Sequence, residues 1–280
     1  MATSPEAKTE TKIEFSVVIP VRGNVEGLRL TLGAFNLFTA QREKLEVILV
    51  CGDDDQDVMF YNNLRGKFGF RIRVLAVART ENFCEGYYNA GARLAVGDNI
   101  LVFNDDCYMQ TYGWDDIIRV KVEANKHFNG IYLVNMLDSS YHNEGTCPFP
   151  KFPMISRKAV ELLGFFFFPQ VRMWPADKVI WDLYSKVGCV ITAHEIKLQH
   201  NHNYDHQGDP KKNRMFRILE EDKANGVFPV NGTEAAKKLI EAIEKGGTNA
   251  MHGSGVSVQQ SEVSGTSDGM RVENEERPVS

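Results

Sequence analysis

No stretch of this chain is apolar enough to span a membrane. The longest apolar run, residues 162–169 with four consecutive phenylalanines, falls well short of the roughly 20 residues such a helix needs. An excess of positive charge is also missing. Lys and Arg number 32 against 37 Asp and Glu, a formal net charge of −5, which offers no large basic field for a phosphate backbone, so no general nucleic-acid partner is expected. Cysteine is sparse: Cys51, Cys84, Cys107, Cys147 and Cys189 are odd in number and form no C-x-x-C pair. That usage argues against structural zinc and for reduced thiols in a cytosol-like compartment. Residues 1–12 carry no signal-peptide apolar segment, so the expectation is a cytoplasmic protein without a membrane span. Aromatic residues are absent from 246–280 and large apolar ones are nearly absent from 1–12, so both ends read as disordered. The whole sequence has the 43% hydrophobic and 25% charged balance of an ordinary globular protein, and the remainder, residues 13–245, is read as one folded unit.

Within that unit the hydrophobic period alternates. FSVVIP at residues 15–20 is a β-branched run, followed by Val25, Leu28, Leu32 and Phe35 at helical spacing. The pattern repeats as a strand at 45–50, a helix at 58–68, a strand at 72–78, a helix at 86–95 and a strand at 99–103. Strands that are apolar throughout imply a mostly parallel α/β sheet covered on both faces. Such sheets bind ligands beyond the C-terminal ends of their strands, which directs attention to the residues after Pro20, Val50, Ala78 and Phe103. Beyond them the pattern predicts helices at 114–128, 157–163, 176–187, 211–224 and 234–245, and strands at 131–136 and 189–193.

The strand ends hold the chemistry. Asn104, Asp105 and Asp106 follow the fourth strand, and adjacent carboxylates in a tight turn persist where a cation compensates them. The alternative is a polar turn whose acids cap the helix near Trp114. Asp53, Asp54 and Asp55, with Asp57, follow the second strand. Val58 and Leu64 stand where a calcium loop needs Gly and Glu, which leaves helix capping or hydrogen bonding to a ribose or base. His200, His202 and His206 offer imidazoles for a divalent metal or form a solvated loop. Asp177 opens a helix behind Trp174 and Pro175, either as its cap or as a general base beside an aromatic wall. Residues 165–168 read as a packed core segment, with an acceptor-site wall or a dimer contact as the alternatives.

These residues resemble the GT-A glycosyltransferases of the family 2 type. Residues 15–24, FSVVIPVRGN, are similar to that family's opening SVVIPTYN, and residues 89–106, NAGARLAVGDNILVFNDD, to its N-x-G-x-x-x-A-x-G passage into an acidic metal motif. WPAD at 174–177, followed by Asp182, Leu183 and Gly188, is similar to the segment carrying the family's catalytic aspartate, and KLQH at 197–200 to the end that supplies a histidine. The resemblance implies a Rossmann-like GT-A fold and metal-dependent, inverting transfer of a sugar from a nucleotide-diphospho-sugar to a glycan, protein or small-molecule hydroxyl. It implies that Asp106 with His200 or His202 binds Mn²⁺ or Mg²⁺. Pro20, Val21, Arg22, Asp53, Asp54, Asn89, Asn104 and Asp105 would hold the donor, Asp177 would be the base, and Trp174 would face the acceptor. Three positions depart from the family pattern: Cys51-Gly52 where two acids are usual, Ala176 where a glutamate is usual, and Gly23 in place of a tyrosine. Two rival classes fit less well. A dinucleotide-dependent dehydrogenase would need G-x-G-x-x-G after the first strand, and a nucleotidyltransferase a Gly-rich basic loop there. A non-catalytic nucleotide-sugar-binding or scaffolding protein on the same fold is compatible with the departures.

Overall fold

A computed structural model describes residues 11–140, 149–201 and 210–250. Its strands are β1 (Phe15–Pro20), β2 (Leu45–Gly52), β3 (Arg71–Val77), β4 (Asn99–Val102), β5 (Cys107–Met109), β6 (Leu133–Asp138), β7 (Met154–Ser156) and β8 (Val190–His200). Its α-helices are α1 (Val25–Phe38), α2 (Val58–Asn62), α3 (Ala90–Leu94), α4 (Trp114–Ala124), α5 (Arg157–Leu163), α6 (Ala176–Val187), α7 (Pro210–Ala224) and α8 (Thr233–Ala250). The strands form one sheet in the order β3-β2-β1-β4-β7-β6-β8-β5. The half built from β3, β2, β1 and β4 is parallel. Beyond it β7 runs antiparallel to both β4 and β6, β8 runs parallel to β6, and β5 closes the edge antiparallel to β8.

Alternation along the central strands divides the core between two faces, as the two-residue period requires. Val17, Ile19, Val47 and Leu49 meet Leu28, Leu32 and Phe35 of α1 and Trp114 and Ile118 of α4 on one side. Val18, Ile48, Val50 and Val102 meet Ala92, Val160, Ile180, Tyr184 and Leu239 on the other. Each such side chain contributes about 1.5–3 kcal/mol on burial, so the layers form a rigid base for the loops above them. Helix α3 lies hard against the sheet. A Cβ on Gly91 would fall 2.3 Å from Val18 Cγ1 and 2.9 Å from Val50 Cγ2, so only glycine fits that crossing.

Several elements differ from the sequence expectation for physical reasons. The helix expected over 58–68 stops at Asn62, because Asn62 and Asn63 favour turns and Gly66 takes a φ of 74°. The one expected over 86–95 begins earlier, as a π-helical turn at Cys84–Asn89 that passes into α3. The one expected over 114–128 ends at Ala124, and Asn129, at a φ of 50°, closes the short 3₁₀ turn that follows. The strand expected over 189–193 runs on to His200, since a bulge opposite Met136 and Leu137 shifts the alternation by one residue and hides its continuity. Strands β5 and β7 are three residues each, too short to show a period. Helix α8 continues to Ala250, past the expected start of the tail at Gly246. Residues 1–10 and 251–280, expected to be disordered, lie outside the described residues, as do His202, His206 and Cys147.

Candidate active site

The C-terminal ends of β1, β2 and β4 are neighbours in the sheet, and this brings three of the expected loops together. Val21 continues the ladder by donating its N–H to Val50 O at 2.9 Å, so Pro20, Val21 and Arg22 leave the sheet beside the acids that follow β2. Arg22 makes a two-pronged pair with Asp54, Nη1 to Oδ1 at 2.7 Å and Nη2 to Oδ2 at 3.2 Å, and Arg79 from beyond β3 adds a third contact at 3.0 Å. Hydrogen bonds from Arg22, then Arg79, hold the Asp54 carboxyl down at about 2. Asp55 accepts the Tyr61 hydroxyl at 3.2 Å and the Asp57 N–H at 3.0 Å, while Asp53 is exposed. Asp57 occupies the N-cap position of α2 without a side-chain capping bond. Gly113, not one of the acids 104–106, precedes α4. Neither acidic cluster is therefore explained by helix capping.

The turn after β4 is fixed from both sides. Asn24 caps α1 by accepting the Gly27 N–H at 3.2 Å, and its amide donates to Asp105 O at 3.3 Å. A Cβ on Gly27 would come within 2.6 Å of that same carbonyl, so helix α1 approaches as closely as it does because the residue is glycine. From the other side the Tyr88 hydroxyl donates to Asn104 Oδ1 at 2.7 Å. Burial pushes the Tyr88 phenol well up, which keeps it a proton donor.

Asp106 and His200, 94 positions apart in sequence, meet because β5 pairs with β8. Cys107 lies directly opposite His200 in that ladder, and His200 Nε2 stands 3.2 Å from Asp106 Oδ1. The Cys107 thiol donates to the same Oδ1 at 3.5 Å, and the three ligand atoms lie within 4.8 Å of one another. Burial drives the Cys107 thiol well up, so it serves Asp106 as a hydrogen-bond donor. Phe152 packs edge-on against the imidazole at 5.0 Å and helps fix its plane. A carboxylate and an imidazole are hard and borderline ligands, a set that suits Mn²⁺ or Mg²⁺.

Asp177 lies in the first turn of α6, a helix anchored by buried Ile180, Leu183 and Tyr184. Its Oδ1 accepts the Lys178 N–H at 2.9 Å, and Lys151 Nζ is 4.0 Å from its Oδ2. The helix N-terminus is expected to keep this carboxyl ionised at neutral pH; desolvation by burial outweighs Lys151 and the backbone N–H groups and raises it from its ordinary value. Trp174, just before the helix, is 36% exposed.

Asn89 needs a correction. Its side chain is fully buried, donating to Glu85 and to Phe167 O, both at 2.8 Å, and accepting the N–H groups of Phe166 at 2.9 Å and Phe167 at 2.8 Å. All four hydrogen bonds of the amide are spent on the protein, so Asn89 supports a wall and has none left for a ligand. That wall is the segment 165–168, whose residues Phe166, Phe167 and Phe168 are buried as expected. Sequence reasoning missed Tyr88 and Lys151. Tyr88 is aimed by the π-helical turn, which no residue pattern reveals. Lys151 lies in an irregular connection that carries no periodic pattern.

No protein-family profile matches the chain, and no curated protein matches it in sequence. Solved structures do match in fold. Staphylococcus aureus TarS superposes with a TM-score of 0.55 at 10% identity over 83% of this chain; the match spans 43% of TarS, less than half its length. The mannosyltransferase PcManGT of Pyrobaculum calidifontis, solved with GDP-Man and Mn²⁺, gives 0.57 at 13% identity over 88% of this chain and 77% of its own. GalNAc-T7, solved with UDP, GalNAc and Mn²⁺, gives 0.55 at 12% identity over 84% of this chain and 55% of its own. The sheet order, the flanking helices and these superpositions agree: the chain has the GT-A glycosyltransferase fold.

Proposed function

We propose that the chain is a metal-dependent, inverting glycosyltransferase that moves a sugar from a nucleotide-diphospho-sugar to an acceptor hydroxyl. The observation that carries this reading is the Asp106–His200 pair, closed at 3.2 Å by the β5–β8 ladder at the C-terminal edge of the parallel strands. The fold and the Mn²⁺ in two of the matched structures support it. Asp106 and His200 would hold Mn²⁺ or Mg²⁺, which when bound supplies positive charge to the diphosphate leaving group.

The remaining roles belong to the chain's own residues. Asp54 is occupied by Arg22 and Arg79, so it orients the two guanidiniums, and the exposed Asp53 is the acid placed to meet the ribose or base. Asn104 and Asp105, held by Tyr88 and Asn24, shape the turn on which the donor rests. Asp177 takes the proton from the acceptor hydroxyl. Its raised affinity for a proton strengthens it as a base, and Lys151 at 4.0 Å opposes the burial so that the ionised form remains available. Thermal melts with UDP-, GDP- and dTDP-sugars, with and without Mn²⁺, test the reading. One donor should raise the melting temperature only when Mn²⁺ is present, because a ligand of the native state stabilises it by mass action. No stabilisation by any donor would remove the proposal. Saturable donor binding without turnover would select a non-catalytic binding protein.

A further inference from the structure

A carboxylate stays buried only where donors surround it, so its partners show what it fastens. Three acids among the described residues are buried: Glu46, Asp115 and Asp222. Glu46 joins the N-terminal ends of β1 and β2 through Ser16, and Asp115 holds the turn after α1. Asp222, on α7, reaches instead the segment that leads to Asp177. Its Oδ1 accepts from Arg172 Nε, and its Oδ2 accepts the Arg172 N–H at 3.2 Å. Arg172 Nη2 donates further to Ile218 O at 3.1 Å and to Glu221 Oε2 at 3.0 Å, so the guanidinium straddles one turn of α7. Arg217 extends the chain of ion pairs from Glu221, at 2.6 Å, to Glu81 in the loop after β3, at 2.7 Å. Those outer pairs are exposed and contribute little, so the buried Asp222 end carries the attachment.

The segment from Arg172 to Asp177 is braced from a second side. Cys84, which opens the π-helical turn, donates its N–H to Arg172 O at 3.2 Å and its thiol to Met173 O at 3.7 Å. Met173 O also accepts the Ala176 N–H at 3.1 Å, and Pro175 O accepts the Val179 N–H at 3.0 Å in the first turn of α6. The Asp177 side chain at the end of this turn is 16% exposed. The titratable groups around it are Lys151 from the connection before β7, Lys178 on α6 and the Cys84 thiol.

We propose that Arg172 and Asp222 are positioning residues for Asp177, holding the turn 172–177 at the depth and angle at which its carboxylate meets the acceptor hydroxyl. They act through the turn and not on the substrate. This inference rests on the reading of Asp177 as the base, but the turn can be followed without any transfer, so the two can fail separately.

The test replaces Asp222 by Ala and by Asn in the full chain and reads three properties. Alkylation of Cys84 by iodoacetamide, located by peptide mass, reports the turn itself, because this buried thiol sits against Met173 O. It should quicken at least tenfold in Asp222→Ala. Turnover should fall by about ten- to a hundredfold with donor Kd unchanged within about twofold, since a displacement of about 1 Å costs rate on that order. The acid limb of kcat should move to lower pH, because a loosened turn lets water reach a carboxyl that burial has raised, and a smaller folded fraction alone would not move it. Asp222→Asn, which keeps one acceptor for Arg172, should fall between Asp222→Ala and wild type in all three. If circular dichroism shows Asp222→Ala unfolded, Asp222→Asn and Arg172→Lys, which keeps the charge without the fork, carry the test. Cys84 labelling at the wild-type rate overturns the proposal, as does faster labelling with wild-type turnover or an unmoved acid limb. A wild-type chain that transfers no sugar removes the transferase reading and the catalytic half of this proposal with it, while the labelling still decides whether Arg172 and Asp222 hold the turn.

Discussion

Replacing Asp177 by Asn should move activity and stability in opposite directions. The substitution keeps the shape and the Oδ1 that accepts the Lys178 N–H, and removes only the ability to take a proton. General-base catalysis contributes about 10² to 10⁴ in rate, or about 2.7–5.5 kcal/mol of barrier, so turnover should fall by that factor while donor affinity stays near its starting value. The stability effect follows from the raised carboxyl. A group that binds its proton more tightly folded than unfolded contributes stability that is fully present below its unfolded pKa, about 3.9, and lost as pH rises through its folded value. Where the folded carboxyl is ionised, as the proposed base must be at neutral pH, the wild-type chain has lost that contribution, and Asp177→Asn should melt at a higher temperature. The gap should close as pH falls toward 4. Paired measurements of transfer rate and melting temperature at neutral and acidic pH decide the matter. Wild-type turnover, or a variant less stable than wild type at neutral pH, would refute the assignment, and Asp182, one helical turn on, would be the next residue to examine.

Lys151→Gln removes the cation that opposes burial at Asp177, so the acid limb of the turnover profile should shift to higher pH, and an unshifted limb would show that Lys151 does not act on the base. Gly91→Ala should overpack the crossing of α3 with β1 and β2 and destabilise by about 1–3 kcal/mol, lowering the melting temperature by about 2–4 °C per kcal/mol. A chain ending at Ala250 should melt and turn over like the full protein, because residues 251–280 lack the apolar periodicity of a docking helix. A large loss of either property would show that this segment completes the fold or the site.

The parallel half of the sheet was legible because each of its strands is an unbroken β-branched run followed by a helical period. The other half was not: β5 and β7 are too short to show alternation, and the bulge in β8 breaks the phase of Ile191 and Ala193 against Ile196 and Leu198. Asp106 could be singled out from its neighbours in sequence. Its approach to His200 depends on β5, a strand that sequence reading did not supply. Asn89 shows the opposite error. A polar residue inside a family-like motif was expected at the ligand, and the structure buries it as the support of residues 166 and 167. The position of Asp177 at the start of α6 could be read from sequence, and its depth of burial could not.

Isothermal calorimetry of nucleotide-sugar binding with and without Mn²⁺, on the wild-type chain and on Asp106→Asn, tests the central claim most directly. The carboxylate lies at the start of a strand edge and not in the core, so the variant should fold normally. The account predicts Mn²⁺-dependent donor binding in the wild type and its loss or marked weakening in Asp106→Asn, with the melting temperature of the free protein retained. Donor affinity that is equal in the two proteins, or indifferent to Mn²⁺, would contradict it.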